Sequence, residues 1–464
     1  MKKKFFILIF LWFISLLITI GWTFENPEKI SKFKDFIKYN LSLGEVFSNT
    51  KKTIAEKSSS FNKKNETNIV DSAYNFLELS YLTLPVYSSY GGIAQIDNNI
   101  LYLSGDGDLF LIQENNQKEK KFIIQKIDSP KIDNKKKSFI KNNEINVGKN
   151  AEKYFGIKDI IIERFSNFER ELLIASSLEY NESADCYTIG VYLSKILDDK
   201  KVNISEWQNI FSTKNCLSVE LTKNPKFAAA SAGGRIAKFD DNHILLTIGD
   251  FYADGVNGPS LSQDKSNLYG KIIKINIKDL SYNIYSYGHR NPQGLYVDQN
   301  NNIFATEHGP TGGDELNRIV EDQNYGWPIA TFGTNYKSSD AYIKDANDTK
   351  KEWPIDITNN THEKFLKPIF SWGNQLGISN LIVYENDYFS KWKNNLIVST
   401  LATKQLVRFV YDFENDSVIY KENIKIGNRI RDILTLKNGK IVLLTDRGKK
   451  LGENPKIILI SKKN

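Results

Sequence analysis

The sequence predicts an all-β chain: a six-bladed β-propeller behind an N-terminal transmembrane helix and a polar stalk. Three observations predict it. The chain begins with a long uncharged apolar run, helical periodicity is scarce beyond it, and a strand–turn–strand phrase returns between Gly91 and Gly448.

The N-terminal element comes first. "MKKK" is followed by "FFILIFLWFISLLITIGWTF", about twenty residues without charge, the length of a helix that crosses a bilayer. The lysines ahead of it favour a cytoplasmic N-terminus. Residues 1–24 are therefore expected to be a membrane anchor, with the body on the extracytoplasmic, periplasmic side. A cleaved signal peptide is the alternative, although Gly21, Trp22, Thr23 and Phe24 offer no small-residue cleavage pattern. Residues 25–68 are polar and read as a stalk, and 69–464 as the propeller.

Length and charge bound the rest. The 464 residues suffice for one large β domain or two ordinary ones. The 62 Lys+Arg against 55 Asp+Glu leave +7, but much of the excess sits in stretches such as "ENNQKEKK" and "IDNKKKSFIKNN". These lack interleaved aromatics and read as solvated loops, so no nucleic-acid partner is expected. The segment from about 113 to 158 reads as a lysine-rich insertion. Cys186 and Cys216 are the only cysteines; an oxidising compartment would permit them to pair, and no C-x-x-C metal spacing is present.

The returning phrase is "GGIAQIDNNILYLSGDG" at Gly91, "GGRIAKFDDNHILLTIGD" at Gly233, "PQGLYVDQNNNIFATEHG" at Pro292 and "IRDILTLKNGKIVLLTDRG" at Ile430. Two more strand-rich stretches, "ELLIASSLEYNESADCYTIGVYLSKI" and "NLIVYENDYFSKWKNNLIVSTLATKQLVRFV", fall between the copies. Six units that cannot bury their faces alone suggest a radial array of four-stranded sheets. A β-sandwich would not explain why one turn phrase keeps returning. In a propeller, matching ends of the copies converge on the central channel. His289, Arg290 and Asn291 precede one strand, and Glu307, His308, Gly309 and Pro310 follow its hairpin partner, so both groups are expected at one shared pocket.

These residues resemble the pyrroloquinoline quinone (PQQ) dependent glucose/sorbosone dehydrogenases, six-bladed propellers that carry "GHRNPQGL", "EHGP", "DELN" and "NYGWP". All four pieces stand here, at Gly288–Leu295, Glu307–Pro310, Asp314–Asn317 and Asn324–Pro328. The resemblance implies a PQQ cofactor, Ca²⁺ and a sugar or other alcohol as substrate. PQQ is a tricarboxylate quinone, and arginine forks match carboxylates. By resemblance Arg290, Asn291, Arg429 and Arg431 contact the cofactor. The other reading of Arg429 and Arg431 is a solvent-facing strand with paired charges. Gly309 and Pro310 would offer carbonyl oxygens to Ca²⁺, and Asp314 either assists that site or fixes the loop. His308, Asn317, Tyr325 and Trp327 are expected to shape the pocket.

The chain also departs from the pattern. Where the family places a histidine that takes the substrate proton, two residues before the G-G-R turn, "FAAASAGGRIA" has Ser231. A serine hydroxyl without a partner is no base at neutral pH. Where the family shows a cofactor-facing lysine, Ala402 stands, with Lys404 two residues on. His308 is the substitute base to consider, while His243 and His362 read as surface residues. Two functions stay open: a PQQ-dependent sugar dehydrogenase-like oxidoreductase with weak or altered chemistry, or a catalytically silent, membrane-tethered propeller that binds a sugar or protein ligand.

Overall fold

The computed structural model describes residues 67–86, 90–115, 121–143, 154–198, 202–219, 229–254, 259–333, 362–446 and 454–463. The expected anchor and nearly all of the stalk lie outside the described residues. Among the described residues no helix is long and apolar enough to cross a membrane.

The strands form six antiparallel sheets arranged as a propeller. Their inner strands are Gly91–Ile96, Gly156–Glu163, Gly233–Lys238, Pro292–Val297, Ile378–Tyr384 and Ile430–Thr435, for blades 1 to 6. Each touches the next and the sixth returns to the first, which closes the ring. Apolar side chains fill the space between neighbouring blades: Ile382, Ile397 and Leu406 of blade 5 join one cluster with Ile433, Leu443 and Ile458 of blade 6.

The ring is locked by the two ends of the described chain. The outer part of blade 6 comes from Phe76–Thr83, which pairs with Lys456–Lys462 from Leu77↔Lys462 to Thr83↔Lys456; Thr67–Asp71 adds a fifth strand. Blade 2 has a broken outer edge of short pieces. A Cys186–Cys216 disulfide ties one of them to the long strand Cys186–Asp198 beside the Ser218↔Cys186 pair.

The stretch 113–158, read as an insertion, includes a blade element. Phe122–Ile127 is the outermost strand of blade 1, and the helix Lys136–Asn143 follows it. Only the two ends of that strand are buried. An outermost strand has few apolar positions to fill, so its sequence resembles a solvated loop.

Five of the six inner strands carry a bulge near their start, between Ile157 and Asp159, Gly233 and Ile236, Pro292 and Gly294, Ile378 and Leu381, and Ile430 and Asp432. A bulge puts an extra residue on one strand and re-aims its side chains. The residues skipped by the register include Lys158, Arg235, Gln293, Asn380 and Arg431. Most of them meet in a buried axial network.

Arg235 is its hub. Its guanidinium reaches Asp159 Oδ1 at 2.9 Å, Asp432 Oδ1 at 3.1 Å, the Gln293 carbonyl at 2.8 Å and the Arg431 carbonyl at 2.6 Å. Asp432 in turn accepts from Asn380 Nδ2 at 2.6 Å and from the Ile93 N–H at 3.1 Å. All six blades are thereby tied at the axis. Burial lifts the Asp159 carboxyl above the ordinary carboxylate range; Arg235 lowers it and Asp432 raises it again.

Candidate active site

The strand register decides which loops meet. Pro292 pairs with Glu307, Gly233 with Ile248 and Ile430 with Thr445, so the residues before each inner strand stand beside those that end its neighbour. This brings His289–Asn291 next to Glu307–Pro310, Ser231 next to Asp250, and Arg429 next to Asp446. Blade order then places these groups around one mouth of the channel.

Arg429 and Arg431 turn to the same acid. Arg431 Nη2 lies 2.8 Å and Arg429 Nη2 3.4 Å from Asp446 Oδ2. Arg431 is buried, which excludes the reading of a solvent-facing strand for it, whereas Arg429 is half-buried. Arg431 Nη1 also reaches Gln293 Oε1 at 3.3 Å, and Gln293 Nε2 donates to Asn291 Oδ1 at 3.0 Å. Asn291 Oδ1 further accepts from the Gly233 N–H at 3.3 Å. One relay thus links blades 6, 4 and 3 through expected cofactor residues. Arg431 Nε has no hydrogen-bond partner among the described residues, although it is buried.

Arg290 is held from several sides. Its guanidinium carbon lies 5.3 Å from the ring centres of both Tyr252 and Trp327, and Nη1 donates to the carbonyls of His308 and Gly309 at 3.0 Å each. Nearby Asp250 is buried and accepts from Trp327 Nε1 at 2.8 Å and from the Tyr252 N–H at 2.9 Å. Burial pushes its carboxyl up to about 7, against the pull of Arg290 and with a further push from Asp254. The Glu307 carboxylate accepts from the Arg290 N–H, His289 Nδ1 and Asn317 Nδ2. His289 and Asn317 are therefore braces for the loop.

The glucose/sorbosone dehydrogenase family model matches residues 97–453. The chain belongs to the glucose/sorbosone dehydrogenase family. Aldose sugar dehydrogenase YliI of Escherichia coli is 31% identical over 288 residues, 58% of this chain and 69% of that protein. An uncharacterised protein, slr1608 of Synechocystis, is 28% identical over 275 residues, 54% of this chain and 60% of its own length. The matched stretch thus falls short of two thirds of that relative. Among solved structures, the PQQ-bound aldose sugar dehydrogenase of Streptomyces coelicolor superposes with a TM-score of 0.54 at 18% identity, covering 87% of this chain and 99% of that one, a likeness of fold.

Within this dehydrogenase-family mouth, Ser231 begins blade 3 between Ala230 and Ala232. Its φ is +58°, its carbonyl accepts from the Phe251 N–H, and its buried Oγ has no hydrogen-bond partner among the described residues. No described residue bonds to the hydroxyl to activate it. Lys404 sits exposed on a blade 5 turn, and its carbonyl accepts from the Ile426 and Gly427 N–H groups. His362 is buried against Phe332, contrary to the surface position expected from its polar neighbours; burial lowers its imidazole to about 4, so it stays neutral. His243 is partly exposed in its turn, bonded to Asp240.

Two of the expected Ca²⁺ ligands, Gly309 and Asp314, are engaged within the loop. Asp314 Oδ1 accepts from the Gly309 N–H and Oδ2 from the Leu376 and Gly377 N–H groups, at 2.8 to 3.1 Å. Burial alone would raise its carboxyl, but His308, with Nδ1 at 3.7 Å, and these N–H groups hold it below the usual range. Of the two roles expected for Asp314, these contacts are those of a loop-fixing residue. The Gly309 carbonyl already accepts from Arg290, so a cation there would face a guanidinium.

A small cavity beside these carbonyls is lined by Arg290, Glu307, His308, Gly309, Glu315 and Trp327, among others. Burial and then Glu307 push the Glu315 carboxyl well above the ordinary glutamate range, while the buried Asn317 Oδ1 lacks a partner among the described residues. Among the described residues no cluster of three His, Cys, Asp or Glu side chains is arranged to hold a metal.

Sequence reasoning passes over Asp250, Gln293, Glu315 and Asp446. One signal for the acids is present: the second strand of each repeated phrase ends near an acid, at Asp106, Asp250, Glu307 and Asp446. Gln293 has no such marker, because its role depends on a bulge.

Proposed function

We propose that this chain is a PQQ-dependent oxidoreductase acting on an aldose or related sugar. The observation that carries the reading is the cationic surplus at the mouth: Arg429 and Arg431 share the carboxylate of Asp446, and buried Arg431 Nε has no partner among the described residues. A polycarboxylate would satisfy both the charge and the donor. Two neighbours of like sequence or fold are aldose sugar dehydrogenases, and one of them holds PQQ. These residues fit the cofactor. Arg431, Arg429 and Arg290 would hold its carboxylates, and Asn291 would orient it through the Gln293 relay. When bound, PQQ supplies a two-electron acceptor. Tyr252 and Trp327 keep Arg290 from swinging away, and the axial network closes the channel below.

Gly309 and Asp314 do not fit Ca²⁺ as arranged, since Asp314 is already used by three N–H groups and Gly309 by Arg290. Glu315 and Asn317 Oδ1 supply the oxygen donors a hard cation prefers. A Ca²⁺ there would offset the repulsion between Glu307 and Glu315.

The purified chain, titrated with PQQ in Ca²⁺ or in chelator and then mixed with aldoses, is expected to show saturable change in quinone absorbance and bleaching by sugar. Ca²⁺ should raise the melting temperature. Absence of PQQ binding would sink the enzyme reading and leave the silent propeller, the second reading that the inert Ser231 favours.

We also place the body outside the cytoplasm, tethered by residues 5–24, because that run is long and uncharged. Sequencing of the mature N-terminus tests this; a start near residue 25 would contradict the tether.

A further inference from the structure

The inner strands of blades 2 and 6 flank blade 1 and bear their bulges at equivalent places, and the skipped residues are Lys158 and Arg431. Both reach the same aromatic ring. Lys158 Nζ lies 3.7 Å and the Arg431 guanidinium carbon 4.4 Å from the ring centre of Tyr90, just before the blade 1 inner strand. Lys158 therefore stands in the same layer of the channel as an expected cofactor-binding arginine. Its side chain crosses towards blade 3: a Cβ on Gly234 would come within 2.6 Å of Lys158 Cβ. Gly234, at φ +103°, leaves that space open three residues from Ser231.

The chemistry of this amine is unusual for a buried lysine. Only 4% of the residue is exposed, and no carboxylate among the described residues lies within ion-pair distance. The groups around it are Tyr90, Tyr154, Arg431 and, from the helix, Lys136, so every charge named is positive. Nζ donates to the Tyr154 carbonyl, which uses one N–H. Burial first, then Arg431 and Lys136, hold the amine well below the ordinary lysine range. A neutral amine keeps a lone pair.

We propose that Lys158 is the proton acceptor of this site, in place of the base missing at Ser231. The proposal rests on the PQQ-dependent reading above. In the step, the anomeric O–H bond breaks and its proton goes to Lys158 Nζ. The C–H bond would give its hydride to the bound quinone, a C=O bond would form and the lactone leave, with the two electrons kept on the quinone and the proton passing from Lys158 to it or to solvent. Other candidates serve less well. Both Asp250 oxygens are engaged by Trp327 and Tyr252, and His308 Nδ1 faces Asp314.

Two measurements test this on the full chain. In the cofactor-free protein, competitive acylation across pH, read by mass spectrometry, should show Lys158 titrating well below the other lysines. In single-turnover quinone reduction by aldose, the parent's rate should rise with pH through a midpoint at or above that one, because the bound tricarboxylate favours the protonated amine. Lys158→Met should lose about 10²-fold and the pH limb, with PQQ affinity within a few-fold of the parent. Lys158→Arg, which carries a fixed positive charge and cannot accept a proton, should be equally slow. The role is overturned if Lys158 titrates like a surface lysine, or if Lys158→Met keeps the parent rate. A tenfold drop in PQQ affinity would also overturn it, marking a cofactor-binding cation instead. A parent that binds PQQ but never oxidises aldose removes this inference alone; one that binds no PQQ removes the enzyme reading with it.

Discussion

Arg235→Met is expected to cost about 3–5 kcal/mol of unfolding free energy, the range found when one partner is taken from a buried ion pair. Methionine fills much of the same volume, so the loss would come from the charges left behind. Asp159 and Asp432 are both buried and would face each other without the guanidinium between them. The axial hydrogen bonds to Gln293 and Arg431 would go as well. The pH dependence follows from the direction of the shifts. A buried acid whose folded pKa is raised favours the protonated native state, so its stability contribution is present at low pH and lost as pH rises through that pKa. Removing Arg235 raises Asp159 further. The deficit relative to the parent should therefore be larger at pH 8 than at pH 5. Urea unfolding at the two pH values measures this, and a difference below about 1 kcal/mol at pH 8 would show that the blades do not depend on this tie.

The six-fold architecture was legible because turns repeat. Four copies of one phrase mark blades 1, 3, 4 and 6, and each yields an inner hairpin at the stated place, such as Gly233–Lys238 with His243–Ile248. Blades 2 and 5 lack the phrase, yet their apolar runs still gave strands, because inner strands buried on both faces must be apolar throughout. Outer strands obey no such demand, which is why Phe122–Ile127 looked like part of an insertion. Ring closure was invisible: the pairing of Leu77 with Lys462 joins distant parts of the chain, and no local pattern encodes it. Within the site, Arg290, Asn291, Arg429 and Arg431 were legible from motifs. Their partners were not. Asp446 and Gln293 reach them through the channel, and Lys158 enters it only because a bulge interrupts the alternation of its strand. The two roles open to Asp314 were not separable in the sequence, because a carboxylate in a glycine-rich loop is as suited to three backbone N–H groups as to a cation.

The second large effect is expected at Arg431. Arg431→Gln should weaken PQQ binding by about 10- to 150-fold, since hydrogen bonds to charged groups contribute about 1.5–3 kcal/mol each. Glutamine keeps some bonding capacity and removes the charge, which isolates the electrostatic part. The fold should tolerate the change better than it tolerates Arg235→Met, because Arg429 still lies 3.4 Å from Asp446 and that acid is not left alone. Arg431→Lys should recover only part of the affinity: an ammonium is a point charge and cannot present Nη1, Nη2 and Nε as one planar fork. A purely structural role for Arg431 predicts otherwise, namely a lowered melting temperature with PQQ affinity unchanged once the protein is folded. Titrating the cofactor's absorbance at two salt concentrations separates the cases. A loss of charge pairing should flatten the salt dependence in Arg431→Gln relative to the parent. If the variant binds PQQ as tightly as the parent at both salts, the surplus of positive charge around Asp446 does not serve a carboxylate ligand, and the cationic mouth belongs to the propeller's own electrostatics.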